Sequence, residues 1–571
     1  MSEKITRKDF IKGAAASAVA VAALGLTGCS STPATGGTPD SAKGTPTAAA
    51  TGHSWDVVPT AITGASAKGS ADVVIVGGGY SGACAAASCA EQGLSVILIE
   101  KDDTLNGHGV GGTGVVESRE LGKYAKEGYK IDKEINLERW VNTCGGRCRE
   151  SLVAKMFREG GHCMNWLLDI AEADGAKCII TANASNSVVH KEEHSYHWLV
   201  GGKAYDKYGM ALAVPYLLYQ YAQKVGGTNF TTAWNTAAVQ LIRGGAGNGT
   251  SGKVTGVICK DKDGKYVQYD AKKAVILSTG DISYDDEMLK TYAPIAMSVM
   301  SRLCNDAGNV GDGHKMAKWV GAAWQDGPWP TMMHPQAGAM FHGPFLFLNQ
   351  KGERFMNEGT WVQGKCVGIM HNGHDSYAWS IFDSHWKEQT IESIKTGGGM
   401  FWDNFRPFGS DPSDGVESFA KTIDKGLTDS PNNYKRCDTL EELADAVGID
   451  RSTFTDVVKH YNELCAAGED TDFYKEKQFL FPIKDGPFYA TRVGAGLLGV
   501  VGGVHISDDF EVLDEKNAVI EGLYAIGNCS GDAYAYDYPI NIQGNSHGRC
   551  LIEGKLIGEH IGGQRIDSAK V

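Results

Sequence analysis

The chain reads as an α/β protein centred on a parallel sheet wrapped by helices, and three observations predict it. Ala71 to Val76 is a short β-branched run that ends directly in glycines, the pattern of a strand buried on both faces. Gly77-Gly-Gly79-Tyr-Ser-Gly82 and an Ala-rich stretch to Gly93 follow, so the strand turns straight into a helix of small residues. A second apolar run, Ser95 to Ile99, closes on the acid Glu100 and then Lys101.

Each part of this unit has a mechanical use. Gly77 permits a tight turn, Gly79 lets backbone approach a pyrophosphate, and Gly82 lets the helix lie close to the strand. The helix start adds unpaired N–H groups and the positive end of its dipole. Glu100, roughly 20 residues past Gly77, can accept hydrogen bonds from a ribose. The unit predicts a bound dinucleotide without choosing between a flavin and a nicotinamide. Later segments extend it. His108-Gly109-Val-Gly-Gly-Thr113-Gly114 is a glycine-rich loop, and Val275-Ile-Leu-Ser-Thr279-Gly280 is a third strand with its turn. Gly311-Asp312-Gly313 opens a helical stretch, and Gly522 to Ile526 is a strand closing on Gly527-Asn528. Gly544-Asn-Ser546-His547-Gly548 precedes a helix predicted from about Arg549 to Ile561.

Composition sets the outer limits. With 571 residues, 42% hydrophobic and 21% charged, the chain is long enough for more than one domain and too apolar for a disordered one. A net charge of −14 is the wrong sign for nucleic-acid binding. Lys4, Arg7, Lys8 and Lys12 precede an uncharged, Ala-rich stretch, the two parts of an export signal over 1–29. Leu26-Thr-Gly-Cys29 resembles a lipobox, which implies a lipid on Cys29 and anchorage to the outer face of the cytoplasmic membrane. The run around Arg7 resembles a twin-arginine signal, with Lys8 in place of the second arginine. Residues 30–68, rich in Ser, Thr, Pro, Ala and Gly, read as a flexible linker. Cys144 and Cys148 stand in C-x3-C spacing near Cys163, but no second pair lies at zinc-like spacing. These read as free or core thiols, and no metal site is predicted.

Taken together, the first glycine motif, Thr279-Gly280, the Gly-Asp-Gly and the closing Gly-Leu-Tyr-Ala-Ile-Gly strand resemble the FAD-dependent fumarate reductase and succinate dehydrogenase flavoprotein family. That family includes urocanate reductases and 3-ketosteroid dehydrogenases. The resemblance implies a Rossmann-like FAD-binding domain, 69–323 and 493–571, interrupted by an α+β capping domain, 324–492. The stretch Leu346 to Glu358 resembles a segment of that cap. FAD is then implied to lie against Gly77, Gly79, Gly82, Glu100, Lys101, His108, Gly109, Thr113, Gly114, Asp312, Asn528, Ser546 and His547. His108 stands where succinate dehydrogenase flavoproteins carry a covalently bound histidine; noncovalent packing is the reading here.

The departures from the family bear on the substrate. Val362 stands where fumarate reductases carry a proton-donating arginine, and Ala337-Gly338 where they carry the Thr-Glu of the proton relay. A second substrate histidine falls on Leu498 or Gly499, and the carboxylate-clamping arginine has no counterpart in Tyr534 to Asn541. His334 remains. A dicarboxylate needs several charge-assisted partners to offset its desolvation. Trp324, Trp329, Met332, Met333, Phe341, Phe345 and Trp361 are expected around the site instead, suiting a more apolar or aromatic substrate. Tyr538-Pro539 resembles the Tyr-Pro of 3-ketosteroid dehydrogenases, so Tyr538 leads as proton donor or carbonyl polariser, ahead of Tyr536, Tyr534 and His334. Arg354 and Arg492 are further candidates to anchor an acid group, with Arg354 read first as a partner of Glu358.

The expected activity is reduction of a C=C bond conjugated to a carbonyl or carboxyl group, as a respiratory terminal reductase with hydride from the flavin and a proton from Tyr or His. No haem motif is present in the sequence. A separate membrane-bound electron donor, a cytochrome, quinol-linked or flavin carrier, is therefore implied. The alternatives are a ketosteroid-type dehydrogenase and a flavin-containing solute-binding lipoprotein.

Overall fold

The structure is a computed structural model that describes residues 52–106, 112–125, 128–181, 191–303, 308–373, 376–395 and 406–565. The export signal with Cys29, and the loop residues His108 and Gly109, lie outside the described residues.

Strand β1, Ser66–Val76, leads into helix α1, Tyr80–Glu91, and then into β2, Val96–Ile99. Parallel pairing joins β2 to β3, Phe230–Ala233, and joins β1 to β4, Tyr266–Leu277. The strand Val519–Ala525 pairs parallel with the far side of β4. Val73, Val74 and Ile75 are fully buried, as expected of strands covered on both faces. From β1 the chain crosses to β2 on one side and later to β4 on the other. The carboxyl ends of β1 and β4 therefore open a crevice at the point where strand order reverses, the place where such sheets hold ligands.

Small residues bring α1 close to the sheet and to the last helix. Gly77 has φ +103, and a Cβ there would sit 2.5 Å from the Ser278 carbonyl oxygen. A Cβ on Gly82 would sit 1.9 Å from the Gly77 carbonyl oxygen.

Most strands of the second sheet follow helix α2, Asp312–Trp319. It comprises β5, Thr331–Gly338, then, after helix α3, Val362–Met370, strand β6, Tyr377–Phe382, and the long β7, Phe488–Val500. Both β5 and β6 pair antiparallel with β7, and Ser301–Arg302 pairs with it in parallel. This sheet thus reaches beyond the expected cap boundaries of 324 and 492 at both ends. The closing helix α4 spans Asn545–Gly562, starting at Asn545 rather than near Arg549, and its N-cap Gly544 takes the left-handed backbone that glycine adopts without strain.

The linker reading is corrected for 52–68. Trp55 is 1% exposed, packed against Tyr292 and Trp324, and its carbonyl accepts a 3.0 Å hydrogen bond from the Trp319 indole. Further on, Gln240 donates to the Thr60 carbonyl at 2.8 Å and accepts from the Ile62 N–H at 3.0 Å. Among the described residues, no helix is long and apolar enough to cross a membrane.

Candidate active site

A large cavity runs along the crevice, from the β1–α1 turn to the facing surface of β5 and α3. Its nucleotide end is lined by Gly77, Gly79, Glu100, Lys101, Asp312 and Asn528. Gly79 is the N-cap of α1, with no side-chain cap bond, and a Cβ built on it would meet only the Asn106 carbonyl, at 3.6 Å. The floor there is open backbone under a helix start, a cradle for phosphate oxygens. Burial pushes the Glu100 carboxyl up, against the pull of the N–H groups of Asp102 and Gly78; the Gly78 bond is 2.7 Å. Lys101 donates to the Gly308 carbonyl and stands 3.7 Å from the Asp312 carboxylate.

The second helix start forms the opposite wall. Ser546 and His547 line the cavity at the mouth of α4, which also lacks a side-chain cap bond. Asn528 Oδ1 accepts from Arg549 at 2.9 Å and lies 3.4 Å from the Ser546 hydroxyl. Thr113 and Gly114 form a short strand against this mouth, where the Gly114 N–H donates to the Gly544 carbonyl at 2.8 Å. The Thr113 hydroxyl pairs with Tyr80 at 2.7 Å, and the Tyr80 ring stacks on His547. Two helix N-termini whose glycine N-caps offer no side chain, a backbone floor and a strand-end acid fit the diphosphate, ribose and ring of FAD.

At the far end Tyr538 and His334 line the cavity with Met332, Met333, Gln336 and Gln363. The Tyr538 hydroxyl oxygen accepts the Ser546 backbone N–H at 3.1 Å. That leaves its own O–H to donate elsewhere. Burial pushes its pKa up from the ordinary 10, so the phenol keeps its proton at neutral pH. Burial pushes His334 down to about 3, against the Gln336 hydrogen bond, so its ring is neutral at neutral pH. No arginine is among the described residues that line the cavity.

Four expectations are corrected. Tyr536 does not reach the cavity: it takes φ +58, is 43% exposed and lies under the Arg147 guanidinium. Tyr534 is fully buried behind the wall, donating to Asn545 at 2.7 Å and stacked on Trp140. Of the expected aromatic lining, Phe341 and Phe345 belong to the cap's own core, and Trp324 and Trp329 pack with Tyr292 and Trp55. The greasy wall is made of thioether and aliphatic groups, Met332, Met333, Leu303, Leu498, Val362 and Ile540. Neither Arg354 nor Arg492 faces the cavity: Arg354 bonds Glu358 and Asp470, and Arg492 lies over the Tyr377 ring. Sequence reasoning missed Glu192, a buried cavity carboxylate that accepts from Gln543. It sits in no recognisable motif.

A parallel nucleotide sheet with this crevice, roofed by a second sheet, is an FAD-binding architecture, and the relatives that share it are FAD-dependent oxidoreductases acting on CH–CH bonds. The chain belongs to the FAD binding domain family, which matches residues 72–540. It is 27% identical over 502 residues to a fumarate reductase (cytochrome) of Shewanella frigidimarina, covering 86% of this chain and 76% of that one. Similarity to a vinyl phenol reductase of Lactiplantibacillus plantarum is 26% identity, over 86% and 96% of the two chains. In fold it resembles the open conformation of a flavocytochrome c3 fumarate reductase, with TM-score 0.64 and 22% identity over 87% of this chain and 79% of that one.

Bound FAD supplies hydride exchange with carbon. This chain's residues present to the cavity a protonated hydroxyl at Tyr538, a neutral ring at His334, and a wall of thioether and aliphatic groups.

Proposed function

We propose that the chain reduces a C=C bond conjugated to a carbonyl or carboxyl group in a substrate less charged and more apolar than fumarate. The observation that carries this is the seating of the Tyr538 hydroxyl on the Ser546 amide in the first turn of α4, in a cavity wall without arginine among the described residues. A phenolate formed when Tyr538 gives up its proton would be born against the positive end of a helix. The same group can instead polarise a substrate carbonyl. The vinyl phenol reductase named above, and a 3-oxosteroid 1-dehydrogenase of Mycolicibacterium smegmatis that is 28% identical over 328 residues, act by their names on substrates with apolar rings. In this reading the export signal and the lipobox at Cys29 place the enzyme on the outer face of the cytoplasmic membrane. A separate membrane-bound donor then supplies its electrons as part of a respiratory chain.

The test is anaerobic reoxidation of dithionite-reduced holoenzyme against a panel of fumarate, short enoates, aryl-acrylates, vinyl phenols and cyclic enones, followed at the flavin absorbance. Reoxidation is expected to be fastest with an aryl or ring substrate. Fumarate as the best acceptor would overturn the substrate reading.

Glu100 is proposed to hold the ribose of FAD. Loss of a hydrogen bond to a charged group costs about 1.5–3 kcal/mol, so Glu100→Ala should weaken FAD binding by about 10- to 100-fold. The ratio of flavin to protein absorbance after exhaustive dialysis reads this directly, and a fully loaded variant would remove the assignment.

A further inference from the structure

Arg549 and Glu553 stand one turn apart in α4, and both residues are 0% exposed. Among the described residues, no carboxylate pairs with Arg549. Its Nη2 donates to Asn528 Oδ1 at 2.9 Å, its Nη1 donates to the Ser530 carbonyl at 3.3 Å, and its guanidinium lies 4.7 Å from the centre of the Tyr534 ring. Its Nε is buried with no partner. An arginine keeps its charge even in such surroundings. Glu553 holds the same short turn, Gly527–Cys529, from the other side. Its Oε2 accepts the Gly527 N–H at 2.6 Å and the Ser530 hydroxyl at 3.2 Å.

The turn between them carries Asn528, which lines the cavity, whereas Gly527 and Ser530 do not. Both hydrogen bonds to the Asn528 side chain end on its oxygen, one from Arg549 and one, at 3.4 Å, from Ser546. The amide is therefore fixed in one orientation, with its NH2 edge left to donate. A Cβ built on Gly499, next to the cavity residue Leu498, would meet that Nδ2 at 3.8 Å. The cation thus lies one hydrogen bond behind the cavity wall, and the anion lies behind groups that do not reach it.

Uptake of two electrons and one proton leaves FAD one charge more negative than before. A fixed cation behind the wall favours that form and a fixed anion disfavours it, and the low dielectric of a buried site strengthens both effects. We propose that Arg549 and Glu553 are positioning residues that set the reduction potential of bound FAD in opposite senses. Arg549 orients Asn528 and stabilises the reduced form; Glu553 holds the turn and opposes it. This pair is independent of the substrate reading above.

The test measures the flavin midpoint potential of the full-length holoenzyme by anaerobic spectroelectrochemistry, with FAD content read from the absorbance ratio. Burial raises the Glu553 carboxyl to about 7, against the pull of Arg549 and the Gly527 N–H, so the measurement is made well above that value, where Glu553 is ionised. Arg549→Met should weaken the reduced form at least tenfold relative to the oxidised form, a midpoint about 30 mV more negative for two electrons. Arg549→Lys keeps the charge and should stay near the wild type. Glu553→Gln keeps an acceptor for Gly527 and should move the midpoint the other way. Unchanged potentials, shifts of the Met and Gln variants in the same direction, or a Lys variant that falls as far as Met would each overturn the proposal. Should Arg549→Met fail to fold or to hold FAD, Glu553→Gln decides alone, and a potential that does not rise sinks the idea.

Discussion

Tyr538→Phe is expected to cut turnover by about 100- to 10,000-fold, the usual contribution of a positioned general acid, while leaving FAD in place. The substitution removes one oxygen. The ring keeps its packing on Tyr534, 5.6 Å between centroids, and the Ser546 N–H loses only a neutral acceptor. The flavin spectrum and the extent of FAD loading should therefore match the wild type, which separates lost chemistry from lost structure. Because the Tyr538 pKa lies above the ordinary 10, wild-type turnover should show no alkaline limb from this group at physiological pH. A variant with unchanged turnover on the best substrate of the panel would remove Tyr538 from the reaction and leave His334 as the remaining donor on that wall.

The nucleotide end was legible in the sequence because each of its glycines answers a local steric demand. A side chain at Gly77 or Gly82 would collide with backbone whatever the rest of the chain did. The substrate end was legible only in part: Tyr538, His334, Met332 and Met333 line the cavity as expected, and the rest was hidden for two physical reasons. Tyr534, Tyr536 and Tyr538 are spaced two apart, which reads as one face of an extended segment. Tyr536 instead takes a left-handed conformation, and Ala535 and Asp537 bridge across it. The alternation breaks, Tyr536 turns outward, and Tyr534 and Tyr538 come together. The aromatic residues near β5 were misread because proximity in sequence does not say which layer a ring enters. Phe341 and Phe345 follow the strand into the cap's own core. Trp55 was hidden differently: the average composition of a stretch rich in Ser, Thr and Ala does not register a single large anchor.

The chain beside the second sheet holds charges with almost no contact with water, so Arg354→Ala is expected to cost about 3–5 kcal/mol, the usual penalty for breaking a buried pair from one side. The Arg354 side chain is 4% exposed and those of Glu358 and Asp470 are 0%. Its guanidinium makes two bonds to Glu358, at 2.9 and 3.0 Å, and two to Asp470, at 2.9 and 2.7 Å. Burial alone would raise both carboxyls. For Glu358 the Lys475 ammonium and Arg354 outweigh it, and for Asp470 the Arg354 hydrogen bonds do, so both lie below their ordinary values. A carboxyl lowered by folding adds stability above its unfolded pKa, and loses it as pH falls through the folded value. Without Arg354 that contribution shrinks, so the deficit should be greatest at neutral pH and diminish below about pH 4, where unfolded carboxylates take up protons. Arg354→Lys should recover only part of the loss, since an ammonium cannot reproduce two planar forks. The effect should also reach the cavity. Glu358 accepts the Phe347 N–H at 3.2 Å and stands just ahead of α3, which places Val362 and Gln363 in the substrate wall. Urea unfolding followed by far-ultraviolet circular dichroism at neutral and acid pH measures both the size and the sign. A loss under about 1 kcal/mol at neutral pH would mean that these carboxylates find other partners or take up protons at little cost.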